Sequence, residues 1–263
     1  MLALKQGLSL PTIKAVGSGG AGFENLYSLD FAGGTDILDW GDKDVFTPND
    51  SGANRGFSLS YWIKTTSTRQ NTIQKYSPVA QVEYVVNIGI GGALKVTLYG
   101  NSDINIIQKL ITDSSAGNFI NLADGNWHHI IITFDLADAT TSIQFWIDGV
   151  NFNAASGATY TSTGTWAAVG NSTAPMTMSN SSFTGNMDEY AIFDTVLSAS
   201  DVASIYNSGV PNDISGINYL IGWWRNGDPT GTGAYPTIVD QSTNSNDGTM
   251  THMASGDIVT DVP

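Results

Sequence analysis

The sequence predicts an all-β protein, an antiparallel β-sandwich that carries one short surface helix. Apolar and polar residues alternate with a period of two along many short segments, and glycine, aspartate and asparagine separate these segments. Charged residues make up only 13% of the chain, so its polar positions are mostly serine, threonine, asparagine and glycine. These residues suit turns and sheet faces better than long helices.

The strand predictions rest on this alternation. Three segments place apolar side chains on one face: Phe57, Leu59, Tyr61 and Ile63; Ile130, Ile132 and Phe134; and Ile143, Phe145 and Ile147. On the first segment, Ser58, Ser60 and Trp62 occupy the opposite face. The segments 82–90 and 94–98 flank a glycine-rich turn, which predicts a β-hairpin.

One helix is predicted from the signals at its two ends. Ser198 is placed to cap the N-terminus, and Asp201 is the acid that a capping box requires three residues later. Leu197 and Val202 have the spacing of a hydrophobic staple, and the segment 209–211, Gly-Val-Pro, predicts the end. A helix this short should pack on the surface of the sandwich.

The chain is strongly acidic, with a formal net charge of −14 from 10 Lys and Arg against 24 Asp and Glu. Phosphate backbones repel such a charge, so nucleic acid is not expected as a partner. The absence of cysteine excludes disulfides, thiolate zinc sites and a cysteine nucleophile. No segment approaches the ~20 apolar residues of a membrane span, so membrane insertion is not expected either.

The chain divides into an arm and one domain. Residues 1–25 contain the glycine-rich segment 17–22 and are predicted to be an N-terminal arm or linker, either a frayed terminus or a tether that docks on a neighbouring subunit. The segment 5–7 interrupts the apolar N-terminus, so no secretion signal is expected. Residues 26–263 are predicted to form the sandwich, with 218–263 as a completing strand or extension that pairs within its own chain or with a neighbour.

Five segments carry motifs in a recognisable order: SLDFAGGTD at 28–36, FSLSYWIK at 57–64, WHHI at 127–130, FWIDG at 145–149 and FTGNMDEYAIFD at 183–194. Together they resemble the laminin-G-like, concanavalin A-like lectin jelly-roll family. The predicted helix follows the last motif, as it does in that family. The segment 222–249 resembles the strand that usually opens such domains, so its position at the C-terminus predicts a permuted strand order.

The resemblance implies a concanavalin A-like antiparallel jelly roll with a binding or structural role. Because this fold supports lectins, adhesins, enzyme accessory modules and virion proteins, it does not identify a ligand. With its arm and without an expected secretion signal, the chain is similar to laminin-G-like structural proteins of tailed phages. The resemblance then implies a non-enzymatic virion surface protein, a capsid-decoration or fibre-type subunit that assembles with itself and other virion proteins and can bind surface glycans. The alternative is a secreted or cell-surface, hence extracellular, calcium-assisted carbohydrate-binding module.

Catalysis is not expected. Glucan-cleaving enzymes of this fold need two carboxyl groups across the scissile bond, often as E-x-D-x-E on one strand, and the three glutamates here are widely separated. Asp188 and Glu189 are adjacent, so on a regular strand they should point to opposite faces. His128 and His129 should also diverge, which favours structural imidazoles over a shared metal site.

Calcium is the one cofactor that the sequence suggests. Its candidate ligands are Asp36, Asp44 and Asp188, with Asp42 as a further candidate, Asp39 close by and the turn at 33–34 as a source of backbone carbonyls. The acid spacing between 36 and 44 is not that of an EF-hand. For Asp188 the favoured alternative is a buried acid that backbone donors satisfy at a strand end.

Trp62 and Trp146 are the candidate ligand-binding residues. Each lies on the strand face opposite the apolar alternation, where an aromatic ring can line a concave sheet and stack on a sugar. Core packing or a subunit interface is the favoured alternative for the tryptophans considered together: Trp40, Trp62, Trp146, Trp166, Trp223 and Trp224.

Overall fold

A computed structural model describes residues 23–48, 56–77, 82–100, 106–111, 120–135, 143–152, 158–163, 169–179, 183–226 and 235–263. The strands within these ranges are, in chain order, β1 (Ser28–Ala32), β2 (Ile37–Gly41), β3 (Gly56–Lys64), β4 (Gln70–Lys75), β5 (Tyr84–Ile88), β6 (Leu94–Tyr99), β7 (Ile106–Ile111), β8 (Trp127–Asp135), β9 (Ile143–Ile147), β10 (Val150–Asn151), β11 (Ala158–Thr163), β12 (Met176–Met178), β13 (Thr184–Phe193), β14 (Leu220–Trp224), β15 (Thr237–Ile238), β16 (Gly248–Thr251) and β17 (Ile258–Val259).

The strands form two sheets, which we call sheet A and sheet B. Sheet A has the order β10-β9-β8-β3-β13-β1-β17, and β14 pairs with the second half of β13. Sheet B has the order β11-β7-β6-β5-β4-β12-β2-β16-β15. All the pairings are antiparallel, and one apolar core contains residues of both sheets. The predicted fold class is therefore confirmed.

The apolar residues of the predicted alternation form part of the core. The odd-numbered apolar residues of β3, Phe57 to Ile63, are buried in the core together with the even-numbered residues Ile130 to Phe134 of the neighbouring β8. The predicted hairpin is also present, with β5 and β6 joined by a short 3-10 turn at Ile90–Gly92.

The helix, α1 (Ala199–Tyr206), covers the outer face of sheet A. The predicted capping box is confirmed, since Asp201 N donates to Ser198 Oγ at 3.2 Å and Ser198 N donates to Asp201 Oδ2 at 3.0 Å. Val202 and Ile205 are buried in a second apolar cluster with residues of sheet A. The helix ends earlier than the segment 209–211 predicts, because Asn207 adopts the left-handed conformation, with φ 45°, directly after Tyr206.

The strands of the C-terminal segment pair within their own chain. β14 lies beside β13, β16 beside β2, and β17 beside β1, so they contribute to both sheets. At the other end, residues 1–22 of the predicted arm lie outside the described residues, and so does Trp166. The boundary drawn at residue 25 stays a prediction. Among the residues that the structure describes, no helix is long and apolar enough to cross a membrane.

Candidate functional site

An open groove of about 410 Å³ lies where β13 ends and β14 begins. We call it the terminal groove. Four separate parts of the chain form it: the loop after β2, the residue that follows β13, the start of β14, and the loop between β15 and β16. Its lining residues are Asp44, Val45, Thr47, Asp194, Tyr219, Leu220, Ile221 and Asn244.

Tyr219 is the most exposed aromatic residue of this groove, with 55% of its surface accessible. Its backbone is left-handed, with φ 64°, a conformation that is uncommon for a bulky residue and costs about 1–3 kcal/mol. Asp194 N donates to the Tyr219 carbonyl at 2.9 Å, and the pairing of β13 with β14 shifts register beside it. The fold therefore holds an aromatic side chain in solvent at a strained position.

The loop at 240–247, which lines the terminal groove through Asn244, is held together by the carboxylate of Asp240. Asp240 accepts hydrogen bonds from the backbone nitrogens of Trp223, Ser242 and Asn246 at 2.8–2.9 Å, and from the Ser242 hydroxyl at 2.8 Å. Asn244 Nδ2 donates to the carbonyls of Leu220 and Ile221 at 3.2 and 3.0 Å. These bonds tie Asn244 to the first residues of β14 and keep it at the groove.

The terminal groove is acidic. Asp44 and Asp194 line it, and no Lys, Arg or His is among its described lining residues. Partial burial raises the pKa of Asp194 above its ordinary value. The basic residue nearest in sequence to Asp44, Lys43, donates to Asn246 Oδ1 at 3.2 Å and lies 5.8 Å from the centre of the Phe46 ring.

The predicted ligand residues lie elsewhere, on the outer face of sheet A. The prediction that Trp62 and Trp146 share the face opposite the main core is confirmed. Trp62 is only 4% exposed, and its ring packs 4.7 Å from His129 and 6.0 Å from Tyr206. Trp146 is half-buried against the cluster under α1. A sugar-binding role for these two residues stays a prediction, and the cover over Trp62 counts against it.

The three candidate calcium ligands occupy different surroundings. Asp36 Oδ2 accepts from Ala32 N at 2.9 Å in the turn between β1 and β2, whereas Asp44 is exposed at the terminal groove. Within the described ranges, no three His, Asp or Glu side chains form a group that could hold a metal ion. Calcium binding stays a prediction without a common site for the three.

Asp188 is fully buried, as its structural alternative requires, but two of its partners are side chains rather than backbone groups. Asn25 Nδ2 donates to Oδ2 at 3.0 Å, Asn226 Nδ2 donates to Oδ1 at 3.2 Å, and Glu189 N donates to Oδ1 at 2.8 Å. The carboxylate thereby links the residues just before β1 to the end of β14.

The prediction that Asp188 and Glu189 point to opposite faces is wrong. β13 contains a bulge between Asp188 and Ala191, where Glu189 is left-handed with φ 48°. A bulge inserts an extra residue and breaks the alternation. Asp188 pairs with Trp62, and Glu189 lines a small space beside Trp62, so both carboxylates lie on the outer face.

Glu189 lines a small space between sheet A and α1, which we call the chamber. Its carboxylate accepts from Trp223 Nε1 at 2.6 Å and from Arg225 Nε at 3.1 Å, and both charged residues are about 5% exposed. Ser60 Oγ lies 3.0 Å from His129 Nε2, and burial lowers the pKa of His129 to about 3. With a free volume of about 10 Å³, the chamber has room for one water molecule and not for a substrate.

Phe23 packs against the second apolar cluster, on the outer face of sheet A. Its ring is stacked on Trp223 at 6.2 Å, and the Arg225 guanidinium lies 4.0 Å from its centre. Arg225 Nη2 also donates to the Glu24 carbonyl. Residues 23–25 are therefore docked on the sandwich, although they fall within the predicted arm.

The two histidines diverge as predicted. His128 Nδ1 lies 2.8 Å from Asp148 Oδ2, and Nε2 lies 3.2 Å from Asp124 Oδ1, which raises the pKa of His128. His129 enters the chamber under α1. These contacts tie strand ends and turns together, which gives both imidazoles a structural role.

These features define the class of protein, an antiparallel jelly-roll sandwich with one face covered and one end open. The chain belongs to the concanavalin A-like lectin/glucanases superfamily, whose Laminin_G_3 family model matches residues 39–203, more than half of the chain. Asp44, Thr47 and Asp194 lie inside this match, whereas Tyr219 and Asn244 lie beyond it.

Solved structures share the fold at low sequence identity. A putative carbohydrate-binding protein from Bacteroides ovatus is 14% identical, with a TM-score of 0.58 over 92% of this chain, which spans 62% of that protein's length. A heptameric SAP-like pentraxin from Limulus polyphemus is 14% identical, with a TM-score of 0.48 over 88% of this chain and 98% of its own. No curated protein sequence matches the chain.

Proposed function

We propose that this chain is a carbohydrate-binding module that holds a glycan in the terminal groove. One observation carries the proposal: Tyr219 is 55% exposed, in a left-handed conformation, on the wall of a 410 Å³ groove. A tyrosine ring presents a flat apolar face on which the C–H face of a pyranose can stack. The volume falls within the ~300–1,000 Å³ range of small-molecule sites.

The other lining residues supply hydrogen-bonding groups for sugar hydroxyls. Asp44 and Asp194 are acidic residues that can accept hydrogen bonds, and Asn244 adds an amide. A few polar groups around an apolar platform are the usual composition of a ligand site. The Bacteroides ovatus protein with this fold, which is described as carbohydrate-binding, supports the same function.

We propose binding without hydrolysis, because Glu83 and Glu189 are both held in buried ion pairs. Glu83 is fully buried in an ion pair with Lys75, 2.6 Å between Oε1 and Nζ, and Glu189 is buried in an ion pair with Arg225. Neither carboxylate reaches the terminal groove. A glycosidase assay on the purified chain tests this directly, and release of reducing sugar that Asp44→Asn or Asp194→Asn abolishes would establish an enzyme instead.

The binding site is tested by a glycan array followed by calorimetry on the best ligand. We expect Tyr219→Ala to weaken binding about tenfold or more, because it removes the platform while keeping a β-carbon at the strained position. Tyr219→Phe should retain most of the affinity, since the ring remains.

Tyr235→Ala is the matched control, because Tyr235 is 44% exposed and outside the groove. It should change affinity less than twofold, about 0.4 kcal/mol. Equal losses from Tyr219→Ala and Tyr235→Ala would contradict the assignment of the site to the terminal groove.

A virion surface role is the finer proposal, and it rests on the sequence resemblance. The sedimentation of source material separates it from the extracellular alternative. A virion component travels with intact particles at stoichiometric level, whereas a secreted module stays in the soluble or cell-surface fraction. Deletion of residues 1–22, which leaves the docked residues 23–25 in place, should abolish attachment and self-assembly in the virion case.

Calcium assistance is likewise a proposal, with Asp44 as the candidate ligand at the groove. A metal that binds only the folded state must stabilise it. We expect calcium to raise the melting temperature over that in chelator, and Asp44→Asn to remove the difference. An unchanged melting temperature eliminates the metal.

A further inference from the structure

Resting on the proposed glycan site, we infer that the terminal groove selects amino sugars with a free ammonium group over neutral and acidic saccharides. The inference follows from the charges that line the groove. Asp44 and Asp194 both line the groove and are exposed, while no basic residue is among the lining residues that the structure describes.

Lys43 could neutralise these carboxylates, but the fold holds it on other groups. Its Nζ donates to Asn246 Oδ1 at 3.2 Å and lies over the Phe46 ring. The whole chain adds to the same field, with a formal net charge of −14. A ligand ammonium group therefore enters a negative potential, whereas a uronate, sialate or sulfate enters against it.

Tyr219 adds a second attraction for a cation. The face of an aromatic ring carries a negative electrostatic potential and binds an ammonium group within about 6 Å. Tyr219 is 55% exposed and lines the same groove as Asp44 and Asp194. Proteins use aromatic faces to hold ligand ammonium groups, and the two aspartates add negative charge to the same groove.

The size of the preference follows from the exposure of the groups. An exposed charge pair changes an equilibrium about two- to fivefold, so two carboxylates give roughly a 5- to 20-fold preference at low salt. Salt should reduce it, because the screening length falls from about 10 Å at 0.1 M to about 3 Å at 1 M. A neutral sugar that stacks on the ring should show little salt dependence.

The test compares oligosaccharides of one length that differ only in charge. The probes are a glucosamine oligomer, its fully N-acetylated neutral counterpart and a glucuronate-containing oligomer, titrated by calorimetry in chelator at low and high salt. We expect the glucosamine oligomer to bind roughly 5- to 20-fold more tightly than the N-acetylated one at low salt, and the acidic one to bind most weakly. The difference should fall towards unity at about 1 M salt.

Variants assign the preference to the groove. Asp44→Asn with Asp194→Asn should lower the ratio of the affinities for the glucosamine and N-acetylated oligomers towards one, and this ratio measures the charge preference separately from any hydrogen bonds that both oligomers lose. Asp213→Asn is the matched control, because Asp213 is an exposed aspartate outside the groove. It should leave the preference unchanged.

Two results overturn the inference and are distinguishable from each other. Tyr219-dependent binding in which the neutral or acidic oligomer equals or exceeds the ammonium form refutes the charge preference and leaves the glycan site standing. Binding that Tyr219→Ala does not weaken, or binding of none of the three oligomers nor of any array glycan, refutes the glycan site together with the inference.

Discussion

The outer face of sheet A and the terminal groove both contain aromatic and acidic residues, which are mostly buried on the outer face and exposed in the groove. On the outer face, Trp62 and Glu189 are 4% and 6% exposed, and they line a small space together with residues of α1 and of the segment that follows it. In the groove, Tyr219 is 55% exposed and Asp194 has no protein cation among the lining residues described. The same residue types therefore provide cohesion in one region and an open surface in the other.

The difference shows that the strand face on which a side chain lies does not decide whether a ligand can reach that side chain. Alternation correctly places Trp62 opposite the main core, but α1 follows β13 and covers that face with Val202 and Ile205. The helix that covers Trp62 comes from a part of the chain that is distant from it in sequence. Availability can therefore be judged only after the helix has been placed on the sheet.

The largest expected difference between the two regions is in stability. Trp62→Ala should lower the free energy of unfolding by about 3–5 kcal/mol, because it removes a buried ring that contacts His129 and Tyr206. Tyr219→Ala should change it by no more than about 0.5 kcal/mol, as an exposed substitution. Urea denaturation monitored by circular dichroism measures both, and a loss of similar size in the two variants would remove the distinction between the covered face and the groove.

The second-largest effect is expected for the buried ion pair of Glu189 and Arg225. Glu189→Gln should cost about 3 kcal/mol, because it leaves the Arg225 guanidinium without its carboxylate at about 5% exposure. The matched control is Asp261→Asn, which breaks the surface pair of Lys64 and Asp261, 2.6 Å apart with side chains 31% and 46% exposed. The control should cost at most about 1 kcal/mol. Equal costs in the same denaturation experiment would argue that the chamber is open to water.

Acid provides a third test, since His129 is buried in the chamber with its pKa lowered from 6.5 to about 3. The unfolded chain binds a proton there that the folded chain does not, so this contribution to stability is complete above pH 6.5 and is lost as the pH falls towards 3. At about pH 4.5 the loss should reach about 2–3 kcal/mol. The stability difference between neutral pH and about pH 4.5 should shrink by this amount in His129→Asn.

His128 is the control for the sign of the effect. Its pKa is raised, chiefly because Asp148 accepts a hydrogen bond from its imidazole. Its contribution is therefore complete below its unfolded pKa of 6.5 and is lost as the pH rises through the higher folded value. His128→Asn should reduce stability more at pH 6 than at pH 8. The same pH profile for both variants would contradict the placement of only one imidazole under α1.

Local patterns made most of the fold predictable. The alternation on β3, the hairpin between β5 and β6 and the capping box at Ser198 depend on residues close together in sequence, and each is present in the structure. The helix end was less predictable, because Asn207 can adopt the left-handed conformation before the expected glycine is reached.

The candidate site was predictable only in part. The sequence suggests Asp44 as a metal ligand, but nothing in it connects Asp44 with Asp194, Tyr219 and Asn244, which come from three other segments. The segment that begins at Tyr219 has the pattern of a strand, and the alternation gives no sign that its first residue is left-handed and exposed. The bulge at Glu189 was hidden for the same reason, because an inserted residue leaves no mark on a local apolar pattern.

We propose that the terminal groove, and not the covered outer face of sheet A, binds the ligand. A crystal structure of the chain grown with its best-binding glycan tests this most directly. We expect a sugar ring stacked on Tyr219, with hydroxyl or ammonium groups within hydrogen-bond distance of Asp194 or Asp44, and with α1 still covering the outer face of sheet A. A sugar bound beside Trp146 on the outer face of sheet A, with Tyr219 still in solvent, would contradict it.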